Sequence, residues 1–461
     1  MTTVAAPWLP RPSVAGPGSA TDGGFAESAA LPARVPRARG VRAITLVHVV
    51  VALAAFSNLG RLPALWLLGH ELPVLPQEVV LVAALAFAAL ACVRARQLRV
   101  DAVAGAATLF ALVGAGATFA TASRLRLDAA DTAYALAYLL RWVTYMGLYV
   151  AVINVGRADD AEPLWTTFER TLLAFAIFGV VQAIAIPEFA QRVYPVVDDN
   201  LAWDVQGHRL VSSVLDPNYA GAMIVLALLV QLGRLAFGVR IPLWKPLLLA
   251  AAVVATASRS SLLALAIGGL VILSARGLRR GIVRFGAVAV ALTLPFVPVL
   301  LDFGRTYQKF GVADESAMAR LVSYMRALTV FTEHPVFGIG FNTWGFVQAS
   351  YGWNAAGRDS FTLDGGLIFI AVLTGVVGLA VYVGMLAAVV RRCRRLWRDE
   401  RADARARGTA LGAAAAVPAL CAHSLFVNSL LLPWIVELTA VLWGVVFLMT
   451  RTSPVPDAEA P

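Results

Sequence analysis

Arginine occurs beside hydroxyl and amide side chains at two points where a polar segment meets an apolar run. Arg209 comes shortly before an Asp-Pro-Asn turn at 216–218, and Arg259 lies in a Ser-Arg-Ser stretch at 258–260. An arginine is a permanent cation whose planar fork of donors suits phosphate oxygens. These two segments therefore predict a site that binds a phosphate-bearing anion.

Two further segments carry charged side chains that would complement such a site. Arg320 and Arg326 lie on a predicted helix over residues 315–332, which ends near His334 and a Gly-Ile-Gly stretch. Glycines at that spacing permit sharp turns and the close approach of a ligand. Asp364 precedes another apolar run, where a helix N-terminus would stabilise its negative form and where it would act on a bound hydroxyl.

The rest of the sequence is typical of a helical membrane protein. Of the 461 residues, 59% are hydrophobic and 14% are charged, whereas soluble proteins have about 45–50% and about 25%. This composition excludes most soluble enzymes and nucleic-acid-binding proteins. The net charge of +10 therefore indicates arginine retained in cytoplasmic loops, with no nucleic-acid partner. The three cysteines have no spacing typical of a disulfide framework or a metal site.

The apolar stretches are predicted to be helices, because backbone groups in lipid must be hydrogen-bonded within their own segment. We expect an all-α polytopic membrane protein with about twelve transmembrane helices of about 20 residues each. The predicted spans are 43–60, 74–93, 101–121, 133–155, 171–187, 217–237, 242–257, 260–275, 285–301, 365–390, 409–428 and 432–450.

The distribution of arginine predicts the orientation of the chain. With both termini in the cytoplasm, most of the 38 basic residues fall in cytoplasmic segments, including the dense run from Arg391 to Arg407, which is expected to contact anionic lipid. Residues 1–42 are predicted to be a disordered cytoplasmic tail. Residues 43–451 would form the transmembrane domain, and residues 452–461 a second cytoplasmic tail.

All four polar segments then lie on the external side. Two of them belong to a long extracytoplasmic loop at 302–364 before the tenth span, whose helix over 315–332 has one apolar face and is expected to lie on the membrane surface. A small cap packed only on itself is the alternative for this loop.

Several of these residues also have a purely structural interpretation. Asp216 would cap the helix that contains Asn218 in its first turn, and Asp364 would cap the helix of the tenth span. Arg259 would extend to the lipid headgroups, and His334 would only end a helix. The functional interpretation is favoured because an anionic, lipid-linked substrate needs such a set of residues on one side of the membrane.

The order of the segments resembles that in the O-antigen ligase and O-antigen polymerase superfamily of bacterial membrane glycosyltransferases. Arg209 with Asp-Pro-Asn at 216–218 is similar to the family's Arg and Asn/Asp-Pro-Asn at a span start. Ser-Arg-Ser at 258–260 is similar to its Ser-Arg-Gly/Ser turn. Residues 320–340 resemble the family's loop helix with Pro-x-x-Gly-x-Gly, and residues 364–378 resemble the segment that follows it.

This resemblance covers about residues 170–390 and implies a glycosyltransferase-C-type enzyme of the bacterial cytoplasmic membrane. Such enzymes transfer a glycan from polyprenyl diphosphate to an acceptor hydroxyl at the outer face, in cell-surface polysaccharide biosynthesis, without a metal or other cofactor. By match, Arg209 and Arg259 would bind the diphosphate as catalytic residues together with Asp364. The substrate-binding residues would be Arg320, Arg326, Asn218, Asp216 and His334.

The chain departs from the family at Asp364-Gly365, where ligases typically carry His followed by Asn. The departure favours a polymerase, or a ligase with another glycan, lipid or protein acceptor, over transfer to the lipid A core. An aspartate is a weak base at neutral pH, so Asp364 is expected to orient the acceptor hydroxyl more than deprotonate it.

Polar residues inside other spans have mainly structural interpretations. Arg141 is predicted to pair with Glu437 across the bundle, or else to line the cavity. His423 is predicted to be an interhelical hydrogen-bond partner, or else a substitute base.

Two other classes of function remain alternatives to a membrane glycosyltransferase. A secondary transporter suits the number of spans, but the long loop and the lack of internal repeats count against it. A structural scaffold would leave the external arginines without a common role. The predicted partners are thus a polyprenyl-diphosphate-linked glycan, its acceptor and membrane lipids.

Overall fold

The computed structural model describes residues 43–60, 62–67, 70–193, 208–275, 315–353 and 363–451. In these residues the chain is helical apart from one antiparallel hairpin of β1 (Leu62–Leu67) and β2 (His70–Val74). The helices in chain order are α1 (Ala43–Leu53), α2 (Pro76–Ala95), α3 (Ala102–Leu125), α4 (Ala129–Val155), α5 (Ala161–Ala185), α6 (Phe189–Val193), α7 (Pro217–Ala236), α8 (Trp244–Ala255), α9 (Arg259–Ala275), α10 (Glu315–Glu333), α11 (Trp344–Ser350), α12 (Gly366–Arg398), α13 (Ala404–His423) and α14 (Pro433–Met449).

Six of the described helices are long and apolar enough to cross a membrane, namely α2, α3, α4, α5 with its preceding turn, α7 and α12. Every predicted span except the ninth overlaps a helix, and the ninth, at 285–301, lies outside the described residues together with both tails. The helix predicted over 315–332 is α10. The hairpin has no counterpart in the prediction, because both strands contain proline, which argues against a strand.

The centre of the bundle is α7, whose residues 220–230 are all buried. Helix α13 packs closely against it through glycine and alanine. A methyl group at Gly412 would lie 2.4 Å from Val230 Cα, and one at Gly233 would lie 2.4 Å from Gly408 O. Small residues permit this backbone approach, which gives membrane helices their van der Waals contact. The tight interface fixes the N-terminus of α7 relative to the C-terminus of α13.

Helix α12 is interrupted at Gly375, which has φ 64° and ψ −169°. The Gly-Ile-Gly stretch runs along this break and pairs with it. The backbone N–H of Gly340 donates to Leu373 O at 2.7 Å, and that of Val376 donates to Pro335 O at 2.8 Å. Irregular backbone within an apolar bundle is tolerated where its polar groups are paired with protein in this way.

The glycines of this stretch bring protein backbones together rather than admit a ligand. A methyl group at Gly340 would lie 2.3 Å from Thr118 Cα, and one at Gly338 would lie 2.4 Å from Val372 O. In addition, the backbone N–H of Phe341 donates to Thr118 Oγ1 at 2.8 Å. The sequence predicts that these glycines permit the close approach of a ligand. In the structure they instead permit close packing between α3 and α12.

The predicted ion pair of Arg141 with Glu437 is wrong. Arg141 pairs instead with Glu78 at the start of α2, with Nη2 and Oε1 2.6 Å apart and a further bond from Nε at 2.9 Å. Tyr145 donates to the same carboxylate. Glu437 is buried in α14, and neither of its carboxylate oxygens has a hydrogen-bond partner in the described part of the chain. Glu78 lies in the first turn of α2, where hydropathy does not distinguish it as a partner of Arg141.

This pairing predicts unequal effects of two isosteric substitutions. Glu78→Gln leaves the guanidinium of Arg141 uncompensated within the bundle and should lower the free energy of unfolding by about 3 kcal/mol. Glu437→Gln removes no charge–charge partner and should leave stability within about 1 kcal/mol of the unchanged protein. Thermal unfolding of the purified variants in detergent measures both. Equal losses would contradict the assignment of Glu78 as the partner.

Candidate functional site

The start of α7 is a capped helix N-terminus. Asp216 Oδ1 accepts hydrogen bonds from the backbone N–H of Asn218 at 2.8 Å and of Tyr219 at 3.0 Å. Asp216 thus caps and stabilises α7, as its structural interpretation predicts. The side chain of Asn218 contacts the neighbouring turn instead.

Asn218 joins α7 to the turn between α8 and α9 and to the end of α13. Its Oδ1 accepts a hydrogen bond from Ser258 Oγ at 2.8 Å. Its backbone carbonyl accepts from Ser261 Oγ at 3.2 Å and from His423 Nε2 at 3.1 Å. Since a carbonyl only accepts, His423 carries its proton on Nε2 in this contact. Two sequence motifs and one helix end therefore meet at a single residue.

Arg209 and Arg259 lie at the same turn. Half-buried Arg209 donates from Nε to Thr256 O at 2.9 Å, and Arg259 is the exposed first residue of α9. Buried Gln182 of α5 positions the backbone of Arg209, because its Nε2 donates to Arg209 O at 3.3 Å while its Oε1 accepts from Val211 N–H at 3.0 Å. Two cations are thereby held beside the N-termini of α7 and α9, where helix dipoles also favour an anion.

The backbone is strained directly before both of these turns. Leu215, which precedes Asp216, has φ 61°, and Ala257, which precedes Ser258, has φ 49°. A left-handed conformation at a residue other than glycine costs about 1–3 kcal/mol and persists only where the surrounding structure enforces it. Such strain clusters at binding and catalytic sites, which supports a functional role for this corner of the bundle.

Asp364 lies at the start of α12, next to the end of α13. The backbone N–H of Gly366 donates to Ser424 O at 2.6 Å. Ser424 follows His423, which contacts Asn218. The half-buried Asp364 is therefore tied through backbone contacts to the same corner as the two arginines.

Helix α10 reaches this corner as well, since Tyr324 donates from its hydroxyl to Leu425 O. Residues 423–425, which we call the α13 junction, thus contact α7, α12 and α10 in turn. The segments around Asn218, Arg259 and Asp364 therefore meet near the junction, and α10 reaches it through Tyr324.

Arg326 makes its contacts with a different set of residues. Its Nη1 donates to Gln348 Oε1 of α11 at 3.3 Å, and its guanidinium carbon lies 5.3 Å from the centre of the Trp353 ring. Arg326 therefore belongs to a wall formed by α10 and α11. The side chain of Arg320 lies outside the described residues.

His334 lies at the end of α10, as its structural interpretation predicts. Its backbone N–H donates to Val330 O at 3.0 Å, and its ring contacts the guanidinium of Arg124 at the end of α3. Burial, and then the positive charge of Arg124, lower the pKa of His334 below its ordinary value. A neutral His334 is suited to hydrogen bonding with sugar or phosphate oxygens rather than to charge neutralisation.

Sequence reasoning left several residues of this corner without a site role. His423 has the interhelical hydrogen bond predicted for it, but its position at the junction was not predicted. Gln182 and Tyr324 were not singled out at all. A polar residue within an apolar run, such as Gln182 in α5, is the pattern that identifies residues of this kind.

The corner is chemically suited to a diphosphate. It offers two guanidinium groups and the N-terminus of α9, which can donate hydrogen bonds to phosphate oxygens. The N-terminus of α7 is already capped by Asp216, and the hydroxyls of Ser258 and Ser261 already donate to Asn218. Within the described ranges, no group of three or more His, Cys, Asp or Glu side chains is placed to hold a metal ion.

The Asn218 contact yields a prediction about positioning. Asn218→Ala removes the link to Ser258 and should reduce glycan transfer by about tenfold to a hundredfold, since small displacements of binding groups have effects of that size. The matched control is Asn154→Ala, because Asn154 at the end of α4 accepts from the backbone N–H of Arg99 at 2.7 Å in a comparable role. Both variants should lose about 1 kcal/mol of stability. Equal loss of transfer in both would contradict a positioning role for Asn218.

Comparison with known proteins finds a family match for part of the chain. Residues 247–383 match a family model described as O-antigen ligase, and this range contains Arg259, Arg326, His334 and Asp364. Among curated proteins no significant match is found. The apolar helices and the family match together indicate a glycosyl-transferring protein of the bacterial inner membrane. The match over residues 247–383 confirms the predicted resemblance of this part of the chain to the O-antigen ligase family.

Proposed function

We propose that the protein transfers a glycan from a polyprenyl-diphosphate carrier to an acceptor hydroxyl at the outer face of the cytoplasmic membrane. The observation that carries this proposal is the meeting of Arg209, Arg259 and the N-termini of α7 and α9 at one corner. A diphosphate is the membrane-linked group whose charge and oxygen count suit this set of donors.

In the proposed reaction, the acceptor oxygen attacks the anomeric carbon of the carrier-linked sugar. The bond from that carbon to the diphosphate oxygen breaks, and polyprenyl diphosphate leaves with the bonding electron pair. Arg209 and Arg259 stabilise the charge that develops on the leaving group. Asp364 holds the acceptor hydroxyl in place, and the proton of that hydroxyl passes in the same step to an oxygen of the departing polyprenyl diphosphate.

The wall of α10 and α11 is proposed to enclose the glycan. Arg320, Arg326 and His334 lie on or at the end of α10, which is anchored to the junction through Tyr324. We assign these residues to substrate binding, with Asn218 and Asp216 shaping the diphosphate end of the site. The predicted orientation puts this corner outside the cytoplasm, where carrier-linked glycans would be assembled into cell-surface polysaccharide.

The polysaccharide profile of a deletion strain tests the proposal and separates its two forms. Single repeat units attached to the acceptor, without chain growth, indicate a polymerase. Accumulated full-length chains on the lipid carrier indicate a ligase. An unchanged profile, together with solute uptake by the purified protein in liposomes, would overturn the proposal in favour of a transporter.

The role of Asp364 is tested by two substitutions in the same assay. Asp364→Asn keeps an acceptor for the hydroxyl, whereas Asp364→Ala removes it. If Asp364 orients the acceptor, the Asn variant should keep at least about a tenth of the transfer rate while the Ala variant loses about a hundredfold. Equal and complete loss in both would indicate a general base instead.

A further inference from the structure

The ends of α3, α12 and α14 that lie away from the candidate site line an open cavity. Its volume is about 430 Å³, and its lining includes Arg391, Arg392, Arg395, Asp399 and Ala102. Helix α12 connects the two regions, because it begins beside the junction and ends in this arginine-rich lining.

Arg392 lines the cavity, but its side chain is held by other residues of the protein and its charge is neutralised by an ion pair. Its Nη2 lies 2.5 Å from Asp101 Oδ2, and it also donates to the hydroxyl of Tyr149. Its guanidinium carbon lies 4.9 Å from the centre of the Phe447 ring. Asp101 in turn caps α3 by accepting from the backbone N–H of Ala104 at 2.9 Å. The positive charge of Arg392 is thus balanced by the carboxylate of Asp101 within the protein.

Arg391 and Arg395 differ from Arg392 in being exposed. They lie one helical turn apart on the same face of α12, where like charges repel each other. Neither makes an ion pair or side-chain hydrogen bond with any other described residue. The carboxylate of Asp399 accepts from the backbone N–H of Arg401 at 3.0 Å. The cavity is therefore lined by two arginines that make no ion pair with the described residues, although the carboxylate of Asp399 also belongs to its lining.

The depth of these arginines matches the headgroup layer of a bilayer. Beyond the break at Gly375, a rise of about 1.5 Å per residue places Arg391 about 23 Å and Arg395 about 29 Å along the helix from Val376. A bilayer is about 30 Å thick in its hydrocarbon core and about 40–45 Å with its headgroups. Val376 and Val383 are each 49% exposed on the preceding turns of α12, as expected for a lipid-facing stretch that ends in headgroup contacts.

We propose that this cavity binds the phosphate of an anionic phospholipid headgroup, with Arg391 and Arg395 as its ligands. Basic pockets between membrane helices bind such headgroups, and the forked donors of two arginines can share one phosphodiester. Free phosphate has the same chemistry, but the position at headgroup depth favours the lipid as the source. The site is separate from the proposed glycan-transfer corner.

The test uses the full chain purified in detergent and titrated with phosphatidylglycerol, phosphatidylcholine or inorganic phosphate. Bound ligand is measured by native mass spectrometry, and thermal stabilisation is measured in parallel. Phosphatidylglycerol should bind and raise Tm, whereas phosphatidylcholine should not. The double variant Arg391→Gln/Arg395→Gln should weaken phosphatidylglycerol binding about 25-fold, at about fivefold for each arginine.

The matched control is Arg394→Gln/Arg398→Gln, which removes the same charge from exposed positions of the same helix end outside the lining. It should keep binding within about threefold, as should Arg391→Lys/Arg395→Lys, which preserves the charges. Equal weakening by both Gln pairs would overturn the site in favour of a diffuse charge effect. Equal binding of phosphatidylcholine, or binding of inorganic phosphate as tightly as phosphatidylglycerol, would overturn the lipid headgroup as the ligand.

Discussion

Replacing Arg259 or Arg209 with Ala should lower glycan transfer by about 10²–10³-fold while leaving membrane insertion intact. The loss is expected because each guanidinium would stabilise charge that develops on the diphosphate leaving group, and one preorganised donor has an effect of that size. The measurement is the transfer rate of purified, reconstituted protein with a polyprenyl-diphosphate-linked glycan. A Lys at either position keeps the charge but loses the fork, so it should restore part of the rate.

The control for these variants is Arg192→Ala. Arg192 lies in α6, is exposed, and has only a loose pair with Glu188 at 3.6 Å. It should transfer glycan at the normal rate. Normal transfer by both the Arg209 and Arg259 variants would rule out the assignment of the diphosphate corner, even if deletion of the whole chain still abolished polysaccharide assembly.

Gly340→Ala should cause the largest loss of stability among the single substitutions considered. Gly340 has φ +91°, and a methyl group there would lie 2.3 Å from the backbone of Thr118. The left-handed conformation costs a residue with a Cβ about 1–2 kcal/mol, and overpacking costs about 1–3 kcal/mol more. We expect a marked fall in Tm and in the amount of monodisperse protein recovered from membranes.

Two other glycines separate the contributions to this loss. Gly352 also has a positive φ, +68°, but a methyl group there would have no neighbour within 4 Å. Gly352→Ala should therefore lose only the conformational part, about 1 kcal/mol. Gly105 lies within α3 with open space around it, so Gly105→Ala should be neutral or slightly stabilising. If Gly340→Ala were as mild as Gly352→Ala, the close contact between α3 and the Gly-Ile-Gly stretch would be contradicted.

Features of the fold that depend on interactions within one segment could be predicted from the sequence, and features that depend on contacts between distant segments could not. Apolar runs place the helices well, because the cost of exposing backbone to lipid acts on each segment by itself. The break of α12 at Gly375 could not be predicted this way, because Thr374 to Gly378 remain apolar and the freed polar groups are paired with a distant stretch. The partner of Arg141 was missed for the same reason, since Glu78 and Glu437 are equally plausible in sequence.

The candidate site was predicted in its parts but not in its assembly. Arg209, Arg259 and Asp364 follow from residue type and position at the ends of apolar runs. Their common neighbour, the α13 junction, follows from none of these patterns. It depends on glycine contacts between α7 and α13 and on single hydrogen bonds such as that of His423 to Asn218. The left-handed backbone conformations of Leu215 and Ala257 could not be predicted from the sequence either, because neither residue is a glycine.

By itself, the amino-acid sequence determined that this chain is a helical membrane protein with its candidate anion-binding residues at segment ends, and the order of those segments indicated a resemblance to the O-antigen ligase family. Hydropathy and charge act residue by residue, so they can be read along the chain. Only the tertiary structure decided which of those residues share a corner, that Asp216 caps a helix while Asn218 links two motifs, and that the Gly-Ile-Gly stretch packs against a broken helix. Those outcomes depend on contacts between residues far apart in sequence, which only close packing of the helices brings within hydrogen-bond distance.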